Sequence, residues 1–306
     1  MTVPTTPQSQ SVEKSRRQLW MAAIKPPMYS VAVIPIMVGT AVAFAETQTF
    51  DGPIFFTFLA AAILIIAWLN LSNDVFDSDT GIDVNKAHSV VNLVGDRDSI
   101  FWLSNLCLAV AFGGIGAIAW WQQDPILIVL VLLCCALGYI YQGPPFRLGY
   151  RGLGEIICFF AFGPLGVAAA YYSQTQSWSN VTFASAIIVG IATSLILFCS
   201  HFHQVEDDLA AGKRSPVVRL GTATSAQLLW WICGSLYVLT GLFVALSLFP
   251  LAALLILGSL PFSFKLCRYV GIYHDQPNQV SNCKFIAVAI HFFSGALLAL
   301  GFVLPH

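Results

Sequence analysis

The chain alternates between long apolar runs and short polar stretches. Nine runs are of helix length, at approximately 27–46, 52–72, 99–121, 125–142, 155–172, 181–202, 225–247, 251–270 and 285–304. About 20 apolar residues in a helix cross the roughly 30 Å hydrocarbon core of a bilayer. Backbone groups in that core find no water, so runs of this kind fold as helices. The pattern predicts an all-α polytopic membrane protein, with about nine transmembrane helices in a ring-like bundle and a polar cap on the cytoplasmic side. Pro26, Pro27, Pro53 and Pro125 lie near helix starts, where a missing N–H matters little. Pro35 and Pro164 fall inside runs and predict kinks or helix–helix contacts. Residues 1–18 are polar, include Pro4 and Pro7, and read as a flexible cytoplasmic tail. No apolar stretch with a cleavage site precedes the first run, so no signal peptide is expected. Residues 19–306 read as one transmembrane domain.

Composition sharpens this picture. Of the 306 residues, 57% are hydrophobic and 9% charged, against roughly 25% charged in a soluble domain. Mean hydropathy is +0.77, which leaves no room for a large soluble domain. The formal net charge of -1 argues against a nucleic-acid partner. Eight cysteines are scattered through apolar stretches without a CxxC pair, which fits small buried hydrophobes rather than a disulfide or zinc framework.

The placement of charge gives an orientation. All 14 Lys and Arg residues fall at the start of the chain, in 73–98, 143–154, 203–224 and 271–284, or on adjacent helix ends. The alternate loops near 47–51, 122–124, 173–180 and 248–250 hold none, and Glu46, Asp51 and Asp124 are the acids on that side. The positive-inside rule puts the first set in the cytoplasm. An odd count of nine helices preserves this segregation and sends the C-terminus outward.

Two acidic clusters lie on the basic side. One reads Asn73-Asp74-Val75-Phe76-Asp77 and continues to Asp79, Gly81 and Asp83. The other runs from Gln204 through Glu206, Asp207 and Asp208 to Gly212-Lys213-Arg214. Asn73 with Asp77, and Gln204 with Asp208, are spaced i, i+4, which places each pair on one helix face. Carboxylates at a bilayer are costly unless they hold something. Such oxygens suit Mg²⁺ bound together with a phosphorylated ligand, and Lys213 or Arg214 is placed to reach a diphosphate. The plainer reading is a solvated loop for Asp79, Gly81 and Asp83, and ordinary positive-inside charge for Lys213, Arg214 and Arg219. The clusters follow runs two and six. Four helices separate them, as in a duplicated four-helix unit with one helix added, so the clusters would face each other across the mouth of a ring.

A third segment, Tyr139 to Arg151, contains Gly143-Pro144-Pro145, a stiff turn that would present Arg147 at the cavity mouth with Tyr141 at a helix end. Both also read as interfacial loop residues. Lys25, directly before Pro26, is an anchor by type and a ligand residue by position. His201 and His203 are i, i+2 and face apart on a helix; His203 reads as a rim residue and His88 as a polar contact.

Asn73-Asp74-x-x-Asp77, Asp208 with Gly212-Lys213, and Tyr141-x-x-Pro144-Pro145-x-Arg147 together resemble the UbiA superfamily of intramembrane prenyltransferases. Gly81-Ile82-Asp83, the run Gly149 to Glu155, and Val218-Arg219-Leu220-Gly221 resemble its MenA branch. That branch prenylates 1,4-dihydroxy-2-naphthoate, and the His203–Asp208 form is similar to the plant and cyanobacterial version, which adds a phytyl chain for phylloquinone. In one departure, Gln204 stands where the second motif usually begins with Asp, so Glu206 or Asp207 would supply the missing charge. The resemblance implies Mg²⁺ held by Asn73, Asp74, Asp77, Asp207 and Asp208. It implies diphosphate contacts from Lys213, Arg147 and Lys86, and Lys25 and Tyr141 near the acceptor or diphosphate. Asp77, Asp208 and Lys213 would then carry the chemistry. The implied partners are a phytyl or polyprenyl diphosphate, the naphthoate and membrane lipid. The implied setting is a plasma or thylakoid membrane, with N-terminus and active site facing the cytoplasm, in phylloquinone or menaquinone biosynthesis. The rivals are a related enzyme using another aromatic acceptor such as homogentisate, and a transporter. A transporter would hold its acids near the midplane, whereas here they collect at helix ends.

Overall fold

The computed structural model describes residues 20–21, 26–80 and 89–304 of the chain. Lys25, Lys86, His88, Gly81, Ile82, Asp83 and the expected N-terminal tail lie outside the described residues. Every expected run forms a helix, and no strand occurs among the described residues. The first four are α1 (Ser30–Thr47), α2 (Gly52–Thr80), α3 (Arg97–Gln122) and α4 (Ile126–Gln142). Next come α5 (Gly154–Thr175), α6 (Asn180–Ser200) and α7 (Thr222–Ala245). The last two are α8 (Leu251–Tyr273) and α9 (Cys283–Val303). Eight helices among the described residues are long and apolar enough to cross a membrane. The exception, α4, has 17 residues, a length of about 26 Å at 1.5 Å per residue and the lower limit of a spanning helix.

Each helix packs against its neighbours in the chain, and α9 returns to α1, which closes the ring. α1 also reaches across to α5 and α6. The ring therefore holds two apolar cores, with α1, α2 and α5 contributing to both. One core contains Ile115 of α3 and Leu127 of α4. The other contains Leu195 of α6, Leu236 of α7, Ile256 of α8 and Leu298 of α9. Contact along the shared wall is close: a Cβ on Gly39 of α1 would stand 2.5 Å from the Val167 carbonyl oxygen of α5. Small residues permit such backbone approach between membrane helices.

The two internal prolines behave differently. Pro164 sits in a π turn, Ala161–Leu165, inside α5, where the widened turn accommodates the missing N–H. Pro35 lies within the unbroken helix α1.

The outer acids are structural ties. The Tyr171 and Ser179 hydroxyls each donate to Glu46 at 2.6 Å, and Tyr172 donates to Asp124 at 2.5 Å. The backbone N–H of Ile54 donates to the Asp51 carboxylate at 3.0 Å. At the opposite end α2 runs on to Thr80, well past the expected limit at 72. Two local features hold this extension. Val75 packs with Val90, Val91 and Ile100 in a small separate core, and the N–H of Val90 donates to Asp74 Oδ2 at 2.9 Å. The first acidic cluster therefore sits on rigid helix.

Candidate active site

One face of α2 carries the site. Its residues Phe58, Ala62, Ile66, Leu69, Asn73 and Asp77 recur at intervals of three or four, so they form one stripe. The stripe is apolar at the outer end and polar at the basic end. A cavity of about 330 Å³ opens at the polar end. Asn73, Asp74 and Asp77 form one wall and Gln204, Asp207 and Asp208 another. Tyr141, Gln142, Tyr150 and Lys213 also line it. The two acidic clusters thus face one space, as their four-helix separation predicts.

The second wall follows from its backbone. The short helix Val205–Ala210 is followed by Gly212 at φ +70°, a conformation glycine adopts readily. The turn returns the Lys213 N–H to the Asp208 carbonyl at 2.7 Å and sets Lys213 Nζ 3.3 Å from Asp208 Oδ1. Arg214 N–H bonds the Tyr150 carbonyl at 2.8 Å, which ties this turn to the loop after α4.

Asp208 is 2% exposed. His201 Nδ1 lies 3.0 Å from its Oδ2, and His201 Nε2 lies 3.4 Å from Glu155 Oε1 on α5. Burial alone pushes the Asp208 carboxyl up. The hydrogen bond from His201 and the charge of Lys213 outweigh it and hold the group below the ordinary carboxylate value. Asp208 is therefore a fixed anion beneath a lysine aimed at the cavity. Asp77 accepts a hydrogen bond from the Gln142 side-chain amide. Asp207 is exposed at the mouth.

Beyond the polar cavity lies an apolar one of about 210 Å³. The two share Asn70, Asn73, Tyr141, Cys158, Leu197 and Ser200, so they adjoin. A further pocket of about 70 Å³ continues it between α1, α2, α4 and α5. The π turn contributes Ala161 and Phe162 to the wall.

Of the expected residues, Asn73, Asp74, Asp77, Tyr141, Asp207, Asp208 and Lys213 line the polar cavity. Lys25 and Lys86 lie outside the described residues. Arg147 is not among the residues that line this cavity. Its backbone at φ +43° caps the short turn Leu148–Arg151, near enough to Asp79 for their charges to interact. Asp79 itself holds Arg97 in a two-pronged pair at 2.7 Å. Arg219 donates to the Arg151 and Arg214 carbonyls at 2.6 and 3.0 Å, which makes it a loop staple. Sequence reasoning missed Tyr150, Gln142, and the Glu155–His201 tie behind Asp208. A seven-residue interval from His201 to Asp208, two helical turns, was the available signal. The 3₁₀ turn His201–His203 obscures it.

Among the described residues no three His, Cys, Asp or Glu side chains converge into a ready-made metal site. The donors present are carboxylate and amide oxygens on facing walls, which suits a hard cation that takes one or two carboxylates and completes its shell with phosphate and water.

An acid-lined mouth that suits a hard cation, with Lys213 beside it, adjoins an apolar cavity; together they suit a substrate that is ionic at one end and hydrocarbon at the other, as a cation-bound prenyl diphosphate is. The class of protein so built is the membrane prenyltransferase. Residues 32–303 match the UbiA prenyltransferase family, and the chain belongs to that family. It is 57% identical over 298 residues to a Synechocystis protein named 2-carboxy-1,4-naphthoquinone phytyltransferase, with 97% of each chain covered. It is 42% identical over 306 residues to the chloroplastic 2-carboxy-1,4-naphthoquinone phytyltransferase of Arabidopsis thaliana, covering 96% of this chain and 79% of the relative. In fold it is similar to a UbiA homolog from Archaeoglobus fulgidus solved with GPP and Mg²⁺, at 16% identity and a TM-score of 0.57, covering 92% and 99% of the two chains. The chain is accordingly an integral membrane enzyme of prenyl transfer, which sets the transporter aside.

Proposed function

We propose that this enzyme transfers a phytyl group from phytyl diphosphate to 1,4-dihydroxy-2-naphthoate, with loss of CO₂, on the way to phylloquinone. The observation that carries the reading is the acid-and-lysine mouth set directly against the apolar cavity, with six lining residues in common. The names of the two long relatives supply the phytyl group and the carboxylated naphthoquinone skeleton.

Asn73, Asp74, Asp77, Asp207 and Asp208 would hold Mg²⁺, and their oxygens fit it. Bound there with the diphosphate, the metal supplies neutralisation of the leaving group. Lys213, fixed by Asp208, donates to diphosphate oxygens as negative charge develops on them. Lys86, and Lys25 with Tyr141, add contacts to diphosphate and acceptor in this reading. The allylic C–O bond breaks and diphosphate leaves. Tyr141, Leu197 and Cys158 stand where the two cavities meet, and they exclude water from the cationic carbon. The ring carbon bearing the carboxylate forms the new C–C bond. Its bond to the carboxylate then breaks, CO₂ leaves, and the electron pair restores the aromatic ring, so no general base is needed at that carbon. The attacking ring must be the electron-rich hydroquinone; the quinone acid in the relatives' names is its two-electron-oxidised form.

The mouth is assigned to the cytoplasmic face of a thylakoid or plasma membrane, on the side of the fourteen basic residues. The test is incubation of the purified protein with Mg²⁺, phytyl diphosphate and the acceptor in reduced or oxidised form. The expected product is a phytyl naphthoquinol lacking the carboxyl, formed from the reduced acceptor. No product, or prenylation of homogentisate instead, would overturn the acceptor assignment.

A further inference from the structure

Away from the mouth the apolar cavity gives way to a smaller pocket. Below the large apolar cavity the smaller pocket shares Val31, Ile65, Ile66, Cys134, Ala161 and Phe162 with it. Its added lining includes Ile36 of α1, Phe58 of α2, Val131 of α4 and Ala169 of α5. All four are buried and belong to the α1–α5 core. Four helices therefore converge there, and Phe58 is the largest side chain among the four.

The depth follows from the helix stripe. Asn70 is the last polar residue of α2 beside the apolar cavity, and twelve residues separate it from Phe58, or about 18 Å of helix. Carbon–carbon bonds of about 1.5 Å at angles near 111° advance about 1.25 Å each, so a phytyl main chain of about sixteen carbons extends about 19 Å. An octaprenyl main chain of about thirty-two carbons extends about 39 Å by the same geometry, beyond the roughly 30 Å hydrocarbon core itself.

We propose that Phe58 is the chain-length determinant of this enzyme: it closes the tunnel at the depth of a twenty-carbon donor. This rests on the tunnel holding the prenyl tail, as in the reading above. Ala62, one turn nearer the mouth on the same stripe and also lining the deep pocket, is the matching position at which added bulk raises the floor.

The test is a donor series from geranyl through farnesyl, geranylgeranyl and phytyl to geranylfarnesyl and octaprenyl diphosphates, assayed singly with the reduced naphthoate. Wild type is expected to use both twenty-carbon donors and to discriminate against octaprenyl. F58A is expected to raise use of the twenty-five-carbon donor relative to the twenty-carbon ones by about tenfold, the scale of an apolar pocket gaining or losing a few carbons. A62L is expected to lower twenty-carbon use by about tenfold while keeping geranyl transfer. Each variant carries its own folding control, namely the donor it still turns over. Equal use of octaprenyl by wild type, or an unchanged donor profile in either active variant, overturns the proposal while leaving the reaction intact. Failure of wild type with every donor overturns the reaction and the proposal together.

Discussion

Asp208→Asn is the sharpest test of the site's electrostatics. The substitution keeps shape and removes one charge from a carboxylate that is 2% exposed. It leaves Lys213 Nζ, now 3.3 Å from a neutral amide, and His201 Nδ1 without their anion. Removing one partner of a fully buried pair costs about 3–5 kcal/mol. The Lys213 side chain is 13% exposed and retains some water, so a stability loss of about 2 kcal/mol is expected. For catalysis the lysine loses its fixed aim at the diphosphate. Misplacing one preorganised donor costs about 2.7–4 kcal/mol of transition-state stabilisation, so kcat/KM should fall about 100- to 1000-fold. Lys213→Met should cost no more than this, because Asp208 both fixes the lysine and is assigned to Mg²⁺. The double variant should be little worse than Asp208→Asn alone, giving a coupling energy near the Lys213→Met effect. The assay is steady-state prenyl transfer with saturating Mg²⁺, beside thermal unfolding of each variant. Additive losses, or an Asp208→Asn enzyme that keeps a third of wild-type kcat/KM, would refute the argument.

Three further outcomes are expected. Chelation of divalent metal should abolish turnover and added Mg²⁺ restore it; turnover that survives chelation would count against the metal assignment. Asp79→Asn should change stability by less than about 1 kcal/mol and kcat little, because its pair with Arg97 is solvent-exposed at 37% and 42%; Asp77→Asn, four helical positions from Asn73 on the cavity wall, should instead abolish transfer. The Asp208 carboxyl is held below its ordinary value, so its contribution to stability is full above about pH 4 and is lost as pH falls through the depressed folded value. Tm against pH should therefore drop more steeply at acid pH in wild type than in Asp208→Asn, and parallel curves would remove Asp208 from the account.

Much of this was legible in the chain because membrane helices obey a strong rule. A run of about 20 apolar residues has one good conformation in lipid, and all nine runs became helices. The i, i+4 spacing of Asn73 with Asp77 likewise survives folding, because Val75 and Asp74 pin the end of α2. What stayed hidden depends on tertiary approach. Arg147 takes a left-handed backbone that no local pattern dictates. Arg219 matches a family motif, yet spends its guanidinium on two loop carbonyls. His201 gains its role from Glu155, a residue on another helix. Phe58 reads as one more apolar residue until four helices meet around it.

The central claim is that one chamber joins an allylic diphosphate to a naphthoate ring by a substitution that expels the carboxylate. The most direct measurement uses 1,4-dihydroxy-2-naphthoate labelled in its carboxyl carbon, with phytyl diphosphate and Mg²⁺, and counts CO₂, diphosphate and prenylated naphthoquinol in the same reaction. The account predicts equal yields of all three and none without Mg²⁺. A prenylated product that retains the label, or CO₂ released without a prenylated product, would contradict it.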